Sequence, residues 1–210
     1  MAWDCATGNG QAAIALAGWF ERVVATDASE KQVAKAEAHA RVEYRVAPAE
    51  KSGIPSGTVD LITVAQALHW FDLSRFYGEA RRVLKPGGVV AAWAYKLASV
   101  TPPIDAVVGH YYSDVVGPYW PAERGLVEKF EELTFPFAEI MAPPFEMVAE
   151  WRVDHLVGYL RTWSATQRFM AANQCDPLKG VEEDLRAAWG DAEQSRRVVW
   201  PLTVLVGRVE

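Results

Sequence analysis

Cysteine is scarce in this chain: Cys5 and Cys175 are the only two in 210 residues, and neither belongs to a Cys-x-x-Cys pair. That scarcity excludes a disulfide framework or a zinc knuckle and fits reduced thiols in the cytosol. Positive charge is short as well. With 21 Lys and Arg against 27 Asp and Glu the net charge is −6, so a nucleic-acid substrate, which needs a broad basic field, is not expected. No apolar run reaches the ~20 residues that span a bilayer, and the first residues lack a basic-then-apolar leader. A soluble, cytoplasmic protein without a membrane partner is expected. No His, Asp and Glu cluster has ligand spacing, so no metal is expected, and no nucleophilic triad or internal repeat is visible.

What is present is the make-up of a folded domain: half of the residues are hydrophobic and 23% are charged. A single domain over 1–210 is expected. Up to Tyr95, short apolar runs alternate with amphipathic stretches, which marks strand-helix-strand units around a parallel sheet. Val23 to Thr26, Val59 to Val64 and Val89 to Ala94 read as strands. Ser29 to Ala38, opened by a capping serine, and Leu73 to Leu84, stopped by Pro86, read as crossover helices. Pro86-Gly87-Gly88 reads as a turn that resets the chain for the next strand. Beyond Tyr95 a helix-like segment runs from Val153 to Met170. Two more strands are expected within Phe135 to Val148 and Arg197 to Val209, with Pro201 at an edge or a bulge.

The chemically informative stretch is Asp4-Cys5-Ala6-Thr7-Gly8-Asn9-Gly10-Gln11-Ala12-Ala13. A glycine turn that leaves a strand and opens a helix lets the backbone approach a ligand bearing a ribose or phosphate. Gly8, Gly10 and Ala13 also fit the G-x-G-x-x-G/A dinucleotide fingerprint, so this segment alone leaves a nicotinamide enzyme open. Asp27 ends the next strand, where a carboxylate can accept two hydrogen bonds from ribose hydroxyls or, alternatively, cap the helix that follows.

Asp4 before the glycines, Ala49-Glu50 ahead of Ile54-Pro55, and Arg82-Val83-Leu84-Lys85-Pro86-Gly87-Gly88 come in an order and spacing that resembles the class I S-adenosylmethionine-dependent methyltransferases. The resemblance covers Trp3 to Tyr95. It implies a doubly wound α/β fold with a mostly parallel seven-stranded, Rossmann-like sheet whose last strand is antiparallel. Residues 1–95 would form a cofactor-binding half, and 96–210 the substrate cover and last two strands. It further implies S-adenosylmethionine as cofactor, with Asp4, Ala6, Thr7, Gly8 and Gly10 around its methionine part, Asp27 on its ribose, and Ala28, Ala49 and Glu50 by its adenine. Ala6 stands where the family has its first glycine, which alanine can replace if φ is negative there. Gln66-Ala67-Leu68-His69-Trp70-Phe71-Asp72 and Tyr159-Leu160-Arg161-Thr162-Trp163-Ser164-Ala165 resemble the branch that includes trans-aconitate methyltransferases. That likeness adds Gln66 and Ala67 to the cofactor site and points to a small-molecule substrate.

A sulfonium methyl is already activated, so the protein mainly aligns a nucleophile and excludes water. His69 is the candidate general base for a phenol, thiol or amine, whereas a carboxylate acceptor needs none. His69, Trp70, Tyr159, Arg161 and Trp163 are the candidate substrate contacts, Arg161 as a carboxylate clamp and the aromatics as pocket walls. At helical spacing Tyr159 and Trp163 share a face while Arg161 points elsewhere. Two rival readings stand beside this one. A nicotinamide oxidoreductase is opposed by the absence of a Tyr-x-x-x-Lys pair. A non-catalytic or N-terminally truncated relative is suggested because Asp4 should end the first strand, which leaves the family's N-terminal helices missing. The sequence carries no reading of oligomeric state.

Overall fold

The structure, a computed structural model, describes residues 1–210. In chain order the regular elements are β1 (Ala2–Cys5), α1 (Gln11–Leu16), β2 (Val23–Asp27), α2 (Glu30–Val33), β3 (Val42–Val46), β4 (Val59–Ala65), α3 (Leu73–Val83) and β5 (Leu84–Tyr95). They are followed by α4 (Pro102–His110), α5 (Arg124–Glu128), β6 (Ala138–Glu139), β7 (Phe145–Trp151), α6 (Val153–Thr162), α7 (Ser164–Asn173), α8 (Glu182–Trp189) and β8 (Arg196–Arg208). The residues sort into two compact units, one of 1–95, 129–145 and 203–210, the other of 96–128 and 146–202.

The first unit is built on the strand order β3-β2-β1-β4-β5-β8-β6. The pairs among β1 to β5 are parallel, and β6 runs antiparallel to β8. Strands buried on both faces need apolar residues on both, and β1 supplies them in alternation. Ala2 packs with Ala13, Ala17, Val23 and Ala25 on the α1 side. Trp3 meets Phe76 of α3 at 6.2 Å and donates its indole N–H to Thr26 Oγ1 at 2.9 Å. Because β2 and β3 lie on one side of β1 while β4 and β5 lie on the other, the order reverses between β1 and β4. In open parallel sheets the carboxyl edge at such a reversal is where ligands bind.

The expected strands at Val23, Val59 and Val89 and the helix from Leu73 are present. Four expectations are corrected. The helix expected from Ser29 to Ala38 shrinks to the four residues of α2, none of them buried, and helix propensity without a buried face does not hold a helix. Pro86-Gly87-Gly88 does not interrupt the strand. The β4–β5 register shifts between Val59 and Leu61 opposite it, Gly87 takes φ +75°, and Gly87 N–H and Gly88 C=O both bond to Val209. The stretch 135–148 supplies two strands, β6 and the start of β7, so the sheet has eight strands in place of seven.

The fourth correction lies in the second unit. Its helical segment breaks at Trp163, where the backbone turns extended and joins α6 to α7. Trp163 is buried against Tyr111, Tyr112, Trp120 and Tyr159, with ring centroids 5.5 to 6.0 Å away. The freed Leu160 carbonyl accepts from Trp163 N–H (3.2 Å) and Thr166 Oγ1 (2.8 Å), so the break leaves no orphaned acceptor there. Ile104, Val108, Leu156, Leu160, Leu178 and Leu185 complete that core. No helix is long and apolar enough to cross a membrane.

Candidate functional site

At the carboxyl edge of the first unit's sheet lies a cleft of about 490 Å³, within the range of small-ligand sites. Four strand ends supply its wall. Ala6 and Gly8 follow β1, and Asp27, Ala28, Ser29 and Gln32 close β2 and open α2. Ala47 to Glu50 follow β3, Ala65 ends β4, and Gln66, Ala67, Trp70 and Phe71 follow it.

The turn after β1 takes its shape from three left-handed residues, Ala6 (φ +56°), Gly8 (+58°) and Gly10 (+91°). The condition under which alanine would fit easily, a negative φ at Ala6, is therefore not met: the alanine adopts the conformation a glycine would favour. Thr7 N–H holds the turn to Thr26 C=O at 2.9 Å, and Gly10 C=O accepts from Ile14 N–H at 2.9 Å as α1 begins. Gly8 and Gly10 lack side chains for different reasons. A Cβ at Gly10 would stand 2.3 Å from the Tyr44 hydroxyl, a clash with the protein itself. One at Gly8 would meet nothing within 4 Å, so bareness there leaves room in the cleft.

Asp27 joins two of the strand ends. Its Oδ2 accepts from Gly8 N–H at 2.9 Å and its Oδ1 from Ser29 N–H at 2.8 Å. Ser29 is the residue before α2, its hydroxyl makes no cap bond, and Asp27 reaches only the Ser29 N–H, so no side chain caps α2. Each carboxylate oxygen keeps capacity for a further donor. Asp4 is 1% exposed and accepts from the hydroxyls of Thr7 and Thr63, the latter at 2.7 Å. Burial pushes its pKa up, while the two threonines and the Ala13 N–H pull the other way. Glu50 Oε1 accepts from Asp72 N–H at 3.0 Å, and Asp72 in turn caps α3.

The loop carrying Glu50 is anchored one turn further on. Glu79 accepts from Ser52 N–H (2.8 Å), Ser52 Oγ (2.6 Å) and the Arg82 guanidinium (2.7 Å), and Arg82 also donates to Ile54 C=O (2.8 Å). The guanidinium, and behind it the two Ser52 bonds, hold the Glu79 pKa at about 2 despite partial burial.

Of the residues singled out in the sequence, Ala6, Gly8, Asp27, Ala28, Ala49, Glu50, Gln66, Ala67 and Trp70 line this cleft; Asp4, Thr7, Gly10 and His69 do not. His69 is 8% exposed, inside the short turn Leu68–Trp70, with its ring 4.8 Å from that of Trp70. Sequence reasoning did not place Ser29, Gln32, Ala47, Pro48, Ala65 and Phe71 in the site. Phe71 lies inside the segment 66–72 already quoted, and Pro48 and Ala65 each adjoin a residue already singled out, so the signal for these was in the sequence. In the second unit Tyr159 and Trp163 come together at 5.8 Å, edge to face, whereas Arg161 pairs with Asp176 at 2.9 Å. No group of three or more His, Cys, Asp or Glu gathers as a metal site.

Residues 3–92 match a family profile described as "Methyltransferase domain". A Dictyostelium discoideum protein named as a methyltransferase is 33% identical over 217 residues, which cover all of this chain and 82% of that protein. A methyltransferase of Aspergillus candidus is 29% identical over 162 residues, covering 66% of this chain and half of that protein. Among solved structures, one from Anaeromyxobacter dehalogenans described as a type II methyltransferase superposes with a TM-score of 0.91 at 47% identity. The superposition covers 99% of this chain and 88% of that one.

Proposed function

Because this chain belongs to the class I S-adenosylmethionine-dependent methyltransferases, we propose that it methylates an oxygen of a small molecule, a carboxylate or a hydroxyl, and takes its cofactor in the cleft after β1 to β4. The observation that carries this reading is Asp27. It stands at the tip of β2 in the cleft wall, fixed by two backbone N–H groups, with acceptor capacity left for ribose hydroxyls. The rest of the wall fits the same group. Ala28, Pro48, Ala49 and Phe71 offer an apolar slot for a purine ring, and the bare Gly8 leaves room beside the ribose.

When bound, S-adenosylmethionine supplies an electrophilic methyl group on a sulfonium. The chain's own task is to hold, align and dry the reacting pair. Trp70, 55% exposed at the cleft wall, is the proposed first contact of the acceptor. His69 is proposed as the base for a hydroxyl acceptor. The likeness of 66–72 and 159–165 to trans-aconitate methyltransferases supports small acids as the first acceptors to try.

Calorimetric titration with S-adenosylhomocysteine and, separately, NADH tests the cofactor. Micromolar binding of the former alone is expected, followed by labelled-methyl transfer to members of a panel of small acids and phenols. Binding of NADH alone or of neither ligand overturns the reading.

A further inference from the structure

The chain has three non-glycine residues with positive φ, and two of them, Ala6 and Gln66, line the same cleft. The third, Gln174, ends α7, where a left-handed residue is ordinary. A glutamine gains nothing locally from φ +53°, so the surroundings must hold it there.

What holds it is visible at the end of the β4–β5 ladder. The regular parallel register ends at Ala65 opposite Trp93. Gln66 N–H adds one more bond to Trp93 C=O at 2.8 Å, and the backbone then turns away into Ala67. The Gln66 side chain supplies the next rung in place of the backbone. Its Oε1 accepts from Tyr95 N–H at 2.8 Å and its Nε2 donates to Tyr95 C=O at 3.2 Å. Both polar ends of the amide therefore engage one residue's main chain. Only a side chain with an acceptor and a donor at this reach can do so: glutamate lacks the donor, methionine has no donor and only a weak acceptor, and asparagine is a methylene short.

We propose that Gln66 is a positioning residue whose amide clamp on Tyr95 fixes the cleft floor Ala65–Ala67 in its ligand-binding shape and ties ligand binding to Tyr95. Tyr95 is the last residue of the first unit before the chain passes into the second at Lys96. It does not line the cleft, and this clamp, with the β4–β5 ladder behind it, joins it to the cleft floor. The inference rests on the proposed cofactor reading of the cleft. It revises the expected part of Gln66: the floor's backbone meets the ligand, and the side chain serves the floor.

The test measures S-adenosylhomocysteine affinity and amide hydrogen exchange with and without that ligand, in wild type, Gln66→Met and Gln66→Glu. In wild type the ligand is expected to slow exchange in a peptide spanning Trp93 to Leu97 as well as around Gly8. In Gln66→Met two hydrogen bonds are lost, so affinity should fall by about tenfold or more and the ligand-dependent protection at Trp93 to Leu97 should vanish, while that around Gly8 remains. Gln66→Glu keeps one bond and should fall between, which serves if the methionine variant folds poorly. A merely structural role would lower stability without separating the two peptides. Wild-type affinity in Gln66→Met, or protection at Tyr95 that survives the substitution, overturns the proposal. Should wild type bind no S-adenosylhomocysteine, the cofactor reading fails, and the clamp is judged on ligand-free protein: Tyr95 exchange as slow in Gln66→Met as in wild type overturns it.

Discussion

Replacing Ala6 by glycine should make the protein more stable, against the usual direction of an alanine-to-glycine change. At φ +56° an alanine carries roughly 1–2 kcal/mol of steric cost that glycine does not. Glycine gives back about 0.4–1 kcal/mol by loosening the unfolded chain. The partly buried methyl forfeits roughly 0.4 kcal/mol of burial, half the value of a fully buried carbon. The net gain is about 0.5 kcal/mol, which in a chain of this size raises the melting temperature by roughly 1–2 °C. Gly8 gives the control of opposite sign. Its φ of +58° matches that of Ala6, and an added Cβ would touch nothing within 4 Å. Gly8→Ala thus adds the same conformational cost without a clash, about 1 kcal/mol of destabilisation or roughly 2–4 °C. Differential scanning calorimetry of the two variants beside wild type, in one buffer and at one scan rate, resolves a gap of this size. An Ala6→Gly melting temperature below wild type, or a Gly8→Ala one above it, would show that backbone conformation does not govern this turn.

Asp27→Ala should weaken S-adenosylhomocysteine binding by on the order of 1–3 kcal/mol in calorimetric titration, because ribose hydroxyls lose their acceptor. It should also lower stability, since the Gly8 and Ser29 N–H groups lose theirs. Glu79 has a folded pKa of about 2 against an ordinary 4.5, so its contribution is complete above the ordinary value and disappears as pH falls toward 2. The stability difference between wild type and Glu79→Gln, on the order of 2–3 kcal/mol near pH 6, should therefore shrink steadily in urea titrations carried down to pH 3. Trp163→Ala removes the centre of the second unit's aromatic cluster and should cost roughly 3–5 kcal/mol in the same assay. Arg161→Ala breaks a partly exposed pair with Asp176 and should cost at most about 1 kcal/mol of stability. If Arg161 holds an acidic acceptor, that variant raises the acceptor KM at least about tenfold and leaves cofactor affinity alone.

The part of the fold that was legible in the sequence is the part set by local pattern. Val23 to Thr26 and Val59 to Val64 are apolar runs bounded by turn residues, and Leu73 to Val83 repeats at helical spacing, so each formed where expected. Gly8 and Asp27 were legible as cleft residues because a glycine turn after one strand and a carboxylate ending the next meet at the carboxyl edge of a parallel sheet. The misreadings share a cause in tertiary contact. Ala-rich residues after Val33 have the propensity for a helix and no core to bury against. Trp163 ends a helix where four aromatic rings surround it, and three of them, Tyr111, Tyr112 and Trp120, come from far away in sequence. Gln66 gave no sign of its clamp, since its partner lies 29 residues away and is main chain, which no residue-type pattern encodes.

The Pro86-Gly87-Gly88 segment and Val209 bond to one another although a whole second unit is spelled out between them. β1 to β5 precede β8 in the chain, so during synthesis the side of β5 that β8 covers waits for that last strand. Until then an apolar sheet margin with unpaired amides is open to any passing strand. Closing that margin is therefore a long-range step, and pairing strands that lie so far apart in sequence is slow.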